Sequence, residues 1–525
     1  MVLLRTVKAH AKIFVVIWII LLSIFATEFR FNLRPELITW LCISFFCWII
    51  SKYENDKSKL LFWLIPIQLF WVNSYGLFIL GWGIFGAYFL YVYLIKKQKD
   101  KRILQVLAAL LAVSFINPYG LKGVMFPFYL FTRLQESNVM NNEISEFTSP
   151  LEVSAENPLT LFLFSFYALL VLGFISTLLT KEKFKAFQLF IMVVFAWLAF
   201  KAIRNIPLFV VVTIPFAINN ISSLGITNRI SDRLQKKWSK TVYVLHITLL
   251  LGFVLLLIDN GYYFLQNRPM KMGVGIDNTI QSVTCSEFMI ANEINGKVLN
   301  DFNVGSWLEW HWDKPVYIDG RLEVMQEDFF SEYNISHQRG GLQKLVSKYG
   351  PTAILFDYTL LPVWHQQLLQ MPNYKMVMEG NKAALYVKKS AYPHIEAFDF
   401  RKWLESKNLT HQLSEKKVYE LLRTEPLNFR GILYHALTLQ VKYLHSEYMK
   451  TGIFAYRNGQ YAVAERLYLK YLEETKGGDV NVFVNLGSLY MRQKQYNKAR
   501  LCYIQARKII PDNPLVKKKT KSAQL

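Results

Sequence analysis

Nine windows almost free of charge recur in the first half of the chain, at residues 13–27, 37–50, 60–72, 77–95, 103–117, 159–179, 186–200, 206–221 and 241–258. In a bilayer only a helix or a closed barrel satisfies its backbone internally, and runs this apolar read as helices. The expectation is a polytopic α-helical membrane domain of nine spans over residues 1–260. Several windows fall short of the ~20 residues that cross a hydrocarbon core. Flanks such as Pro35–Glu36 and Asn73–Tyr75 then share the crossing, or the helices are re-entrant. The first window does not read as a cleavable signal, because Glu28, Phe29 and Arg30 follow it in place of a small-residue cleavage site.

Loop charge sets the orientation, since Lys and Arg are retained in short cytoplasmic loops. Alternate loops hold 19 Lys and Arg on one side and six on the other. The six are Arg30, Arg34, Lys122, Arg133, Lys201 and Arg204. This places the N-terminus in the cytoplasm and everything after the ninth span outside it. The formal charge of +22 is therefore mostly topogenic, with an ordinary basic soluble region and the tail 517–525 adding to it. No groove-lining basic stripe is visible, which excludes nucleic acid as a partner. Four scattered cysteines, two of them inside an apolar window, give no disulfide framework or zinc site.

The pattern changes from about residue 278. Runs at Lys297–Asn300, Gly305–Trp312, Pro315–Asp319, Ala353–Phe356, Tyr374–Met378 and Ala383–Val387 read as strands. Helical stretches lie around Ser286–Ile294, Glu327–Ser336, Leu342–Tyr349 and Leu360–Gln370. This alternation predicts a small α/β domain with a largely parallel sheet over residues 270–392. Residues 400–449 form a helical connector, with 415–445 a degenerate repeat copy. Within 450–516, Gly452, Ala464 and Tyr468 recur as Gly487, Ala499 and Tyr503, each 35 residues on. Small residues let two helices of a hairpin approach closely, and this set matches the small and large positions of the tetratricopeptide repeat.

Candidate chemistry is sparse. Asp301, Asp319 and Asp357 stand at predicted strand ends and would gather at one sheet edge, where ligands of open α/β folds bind. Gly305–Ser306 opening a short helix, together with Arg321, could hold a polar ligand there. The competing reading pairs Asp319 with Arg321 and uses Trp307, Trp310 and Trp312 for packing or for docking on a membrane surface. In the long loop 118–158, Glu143 and Glu146 lie near the membrane surface, where carboxylates act as bases or bind a divalent ion; a solvated loop is the alternative. Lys201 and Arg204 run against the charge bias, and a lipid-linked phosphate or an ordinary headgroup would account for them. No cofactor motif is present, and His311, His337 and His365 are isolated.

Several strings in order carry a resemblance: Arg34-Pro-Glu-Leu37, Trp71-Val-Asn-Ser-Tyr-Gly76, Asn117-Pro-Tyr-Gly120, Glu146-Phe-Thr-Ser-Pro150, Arg204-Asn-Ile-Pro-Leu-Phe209 and Val316-Tyr-Ile-Asp-Gly-Arg321. Over roughly residues 30–390 the chain resembles bacterial polytopic proteins similar to the GT-C superfamily of polyprenyl-phosphate-sugar-dependent glycosyltransferases. The resemblance implies a protein of the bacterial inner membrane with periplasmic C-terminal domains. It also implies a lipid-linked sugar as substrate and membrane lipid as a partner. Those enzymes carry a catalytic acidic residue in a long first external loop. Here that loop is only residues 28–36, with Glu28 and Glu36, so the start is shortened relative to the family pattern and no catalytic residue carries over. Two functions follow: a GT-C-like protein handling a lipid-linked sugar or similar envelope glycan, or a non-catalytic scaffold recruiting protein partners through its α/β domain and repeats.

Overall fold

Over most of its described residues, each of the nine apolar windows falls on a helix. The computed structural model describes residues 13–31, 34–136, 145–156, 160–180, 184–224, 241, 244–245, 247–265, 272–276, 282–321, 325–427, 429–438 and 447–509. Four helices are long and apolar enough to cross a membrane: Glu36–Asp56, Gly76–Ile95, Leu161–Leu179 and Ile203–Ser223. The others, Ile13–Thr27, Lys59–Val72, Lys101–Val113, Lys185–Lys201 and Ile247–Ile258, are shorter. The chain divides into two compact units between residues 240 and 241, so the ninth apolar helix belongs to the second unit.

In the first unit, helix Ile206–Ser223 is buried on nearly every face and packs against helices Ile13–Thr27, Glu36–Asp56, Leu161–Leu179 and Lys185–Lys201. An apolar helix gains little from burying itself among apolar neighbours in lipid, so polar contacts between helices matter more there. Asn220 supplies one: its Nδ2 donates to Thr177 Oγ1 and Gln188 Oε1, each at 3.0 Å. A second polar knot lies at the far end of helix Glu36–Asp56, where Lys96 pairs with Glu54 and Tyr88 donates to Glu54 at 2.9 Å. Tyr53 donates to Asp100 beside them.

The second unit contains a four-stranded sheet of β1 (Val298–Asn300), β2 (Ala353–Asp357), β3 (Tyr374–Gly380) and β4 (Ala383–Lys388) in the order β1-β2-β4-β3. Only β1 and β2 run parallel; β4 is antiparallel to both its neighbours. The largely parallel sheet expected from the sequence is therefore a mixed one. The reason is local: two residues, Asn381 and Lys382, join β3 to β4, and a parallel pair needs a crossover of a dozen or more. Asn381 takes the left-handed backbone such a tight turn requires, at φ 61°.

Two further expected strands are absent. Gly305–Trp312, which also reads as a short helix opened by Gly305–Ser306, lies within helix Phe302–Trp312, and Pro315–Asp319 pairs with no strand among the described residues. Asp301 starts that helix by accepting from the Asn303 amide at 2.7 Å. Val304, Leu308 and Trp312 then recur at every fourth position as its buried face. The helix consequently opens at Phe302, and Gly305–Ser306 sits a turn inside. A Cβ on Gly305 would stand 1.9 Å from the Ile318 carbonyl oxygen, so only glycine lets segment 316–320 lie against it.

Beyond the sheet, helices Phe400–Ser406, Glu415–Arg423 and Phe429–Thr438 lead to two helical hairpins, Glu447–Arg457 with Tyr461–Thr475 and Val480–Arg492 with Tyr496–Ile509. The first hairpin packs directly on the sheet module. Thr451 Oγ1 donates to Glu379 Oε1 at 3.0 Å, the Tyr358 and Phe454 rings lie tilted by 31° with centroids 4.3 Å apart, and Arg457 donates to the Tyr358 carbonyl.

Candidate functional site

Three arginines and two carboxylates meet at one end of the first unit's helices. The short 3-10 helices Glu28–Arg30, Ser145–Phe147 and Ile203–Asn205 bring them there, and the Ile203 amide ties the last two together by donating to the Thr148 carbonyl at 2.9 Å. Arg30, only 2% exposed, reaches Glu36 Oε1 at 2.6 Å and Glu146 Oε1 at 2.7 Å. Glu146 also receives Arg34 at 2.8 Å. Burial works against the charge of Arg30, but Glu146 and then Glu36 outweigh it and raise its pKa. Burial likewise pushes Glu146 up, yet the hydrogen bond and charge of Arg30, with the charges of Arg34 and Arg204, hold it below the usual carboxylate range.

Arg204 is held differently. It lies 3.9 Å from Glu36 Oε2, its guanidinium sits over the Phe147 ring at 4.9 Å from the centroid, and it is 25% exposed. Among the described residues its side chain makes no hydrogen bond, so its planar fork of donors keeps capacity for an anion. Arg34, 39% exposed, flanks the same carboxylates. Arg30 and Arg34 thus balance Glu36 and Glu146, and Arg204 is the excess cation at the exposed rim.

Sequence reasoning singled out Glu146 and Arg204, and these come together. Lys201 does not join them: it is exposed, with its ammonium over the Trp197 ring. Glu143 lies outside the described residues. Arg30, the most buried member, reads in sequence as an ordinary loop charge, and the available signal was a cation between two apolar windows with Glu36 six residues on. Two more of the quoted strings act in turns. Asn73 donates to the Ile116 carbonyl at 2.9 Å, and Asn117 closes its own turn by accepting from the Tyr119 amide at 2.9 Å.

In the second unit the expected edge of aspartates is only partly assembled. Asp301 and Asp357 are both fully buried and adjacent, the Asp357 amide donating to Asp301 Oδ2 at 2.5 Å. Burial, and then the charge of Asp357, raises Asp301 to about 6. Lys382 stands 3.3 Å from Asp357 Oδ2. Asp319 faces Arg321 instead, at 2.5 Å, and Arg321 also reaches Glu309 at 2.7 Å. The hydrogen bond from Arg321 holds Asp319 below its ordinary value. Trp312 is buried, Trp307 donates to Ser286 Oγ at 3.0 Å, and Trp310 is 69% exposed. Among the described residues no three His, Cys, Asp or Glu stand together as a metal site.

No family model matches the chain, and no curated protein does.

Proposed function

We propose that the chain is an integral membrane protein that handles a lipid-linked sugar, or a similar envelope glycan substrate, with Arg204 and Arg34 holding its phosphate. The observation that carries this reading is the unmet hydrogen-bonding capacity of a half-buried arginine, stacked on Phe147 beside a cluster already neutralised by Glu36 and Glu146. Such a guanidinium forms charge-assisted bonds to phosphate oxygens without leaving its site. The reading keeps nine spans, a cytoplasmic N-terminus in a bacterial inner membrane, the cluster at the external face, and tetratricopeptide repeats in the hairpins. Glu146 serves in it as a positioning residue. A carboxylate bound by two arginines, with its pKa held low, is a weak base, so no residue is assigned to proton abstraction.

The test is binding of a polyprenyl-phosphate-sugar to the purified protein. Arg204→Ala should lose charge-assisted hydrogen bonds of roughly 1.5–3 kcal/mol, about ten- to a hundredfold in affinity. Arg204→Lys should recover only part, because the planar fork is gone. Equal affinities of wild type and both variants would overturn the reading.

The non-catalytic scaffold is the second reading, favoured by the engagement of Glu146 with arginines. Deleting residues 450–516 should then abolish partner crosslinking and leave membrane insertion intact.

A further inference from the structure

The two hairpins share their packing but not their charge. The first, residues 447–475, carries four Lys and Arg (Lys450, Arg457, Arg466, Lys470) against four acidic residues. The second, residues 480–509, carries six (Arg492, Lys494, Lys498, Arg500, Arg507, Lys508) and no acidic residue. Three of the six are engaged: Arg492 with Tyr461 and Tyr456, Lys498 over the rings of Tyr419 and Tyr490, and Lys508 with Glu425. Lys494, Arg500 and Arg507 are exposed, and among the described residues none of their side chains has an ion-pair or hydrogen-bond partner.

Their placement is as one-sided as their sign. On helix Tyr496–Ile509, Tyr496, Arg500, Ile504 and Arg507 follow one another at three- or four-residue spacing as an exposed stripe beside the buried Ala499, Cys502, Tyr503 and Ala506. That face alternates exposed arginines with Tyr496, 45% exposed, and Ile504, 38% exposed. The sequence that follows adds Lys517, Lys518, Lys519 and Lys521.

We propose that this face docks on an anionic lipid surface. Cations interleaved with an aromatic and an aliphatic side chain along one exposed helix stripe fit a surface of spread negative charge into which apolar tips can sink. A folded acidic partner would call for a groove or a fixed, buried arginine, and the arginines here are exposed and untethered. A lipid surface is also at hand, because the same chain carries four helices able to cross a membrane. The inference is independent of the lipid-linked-sugar reading.

The experiment places the full-length protein in phosphatidylcholine nanodiscs and measures co-flotation with added vesicles of phosphatidylcholine alone or with one quarter phosphatidylglycerol. Binding should require phosphatidylglycerol and fall steeply in 0.5 M salt. Each cation at an anionic surface strengthens binding about fivefold, so Arg500→Gln with Arg507→Gln should weaken it roughly twenty-five-fold. Replacing Lys99, Lys101 and Arg102 by Gln should leave it unchanged. Equal binding to both vesicle types, or an unchanged double variant, overturns the proposal. Capture of a polyglutamate peptide without vesicle binding overturns it in favour of an acidic protein segment.

Discussion

Glu379 offers a quantitative test of how the sheet module and the first hairpin are joined. Its carboxyl is buried between β3 and helix Glu447–Arg457, accepting from Tyr358 Oη at 2.6 Å, Thr451 Oγ1 at 3.0 Å and the Asn381 amide at 3.0 Å, all on Oε1. Oε2 has no partner. Burial raises its pKa from 4.5 to about 7, against those hydrogen bonds and with a smaller push from the charge of Glu447. A folded state that binds the proton more tightly than the unfolded one is favoured at low pH. The penalty of the charged form is absent below about 4.5 and complete above about 7. A gap of about 2.5 units corresponds to roughly 3 kcal/mol. Glu379→Gln keeps the acceptor at Oε1 and removes the charge. The stability difference between variant and wild type should therefore climb by roughly 3 kcal/mol from pH 4.5 to 8, the variant gaining. Hydrogen exchange of β3, β4 and helix Glu447–Arg457 in the full-length protein, corrected for the intrinsic pH dependence of exchange, reads that difference. A difference flat across the range would refute a buried, neutral carboxyl at this junction.

Other perturbations follow from the same geometry. His365, buried against the Phe454 ring, is lowered to about 4 by burial and then by the charge of Arg457. Its contribution is present above about 6.5 and lost on acidification. In His365→Leu that acid-side loss, up to roughly 3 kcal/mol, should vanish from chemical denaturation curves compared at pH 7 and pH 4. A Cβ on Gly487 would stand 2.6 Å from the Tyr503 ring, so Gly487→Ala should cost about 1–3 kcal/mol in thermal unfolding, with part restored by Tyr503→Leu. Glu146→Gln leaves the buried Arg30 with half its compensation. It should lower stability in detergent by about 3 kcal/mol, while the same change at the exposed Glu396 should do almost nothing.

The apolar helices of the first unit were legible because apolar windows are local signals, read without knowing what touches what. The arginine cluster was legible only in pieces. Arg34 and Glu146 are 112 residues apart, and nothing in either string says that a buried Arg30 shares the same carboxylate. The run from Phe302 to Trp312 misleads by composition, since Val304 and four aromatic residues suggest a strand. The fourfold spacing of Val304, Leu308 and Trp312 and the Asp301 cap carry the correct answer. The sheet was misjudged as largely parallel although the short β3–β4 connection was countable. Glu379 and Thr451 lie 72 residues apart, and an acidic residue just past a predicted strand looks solvent-facing until the hairpin that covers it is known.

The paired glycines and tyrosines of the hairpins bear on how this chain can change in descent. Gly452 meets Tyr468 and Gly487 meets Tyr503, each within its own hairpin, whereas attachment to the sheet uses Thr451, Phe454 and Arg457 of the first hairpin alone. Fastenings that are internal to a unit are copied whole when the unit is duplicated. An extra hairpin inserted after Thr475 would bring its own glycine and tyrosine and leave the sheet attachment untouched. Lengthening this arm by gene duplication would therefore ask for compensation mainly where the second hairpin meets helix Glu415–Arg423 and the segment after it, at Lys498 over Tyr419 and Lys508 with Glu425.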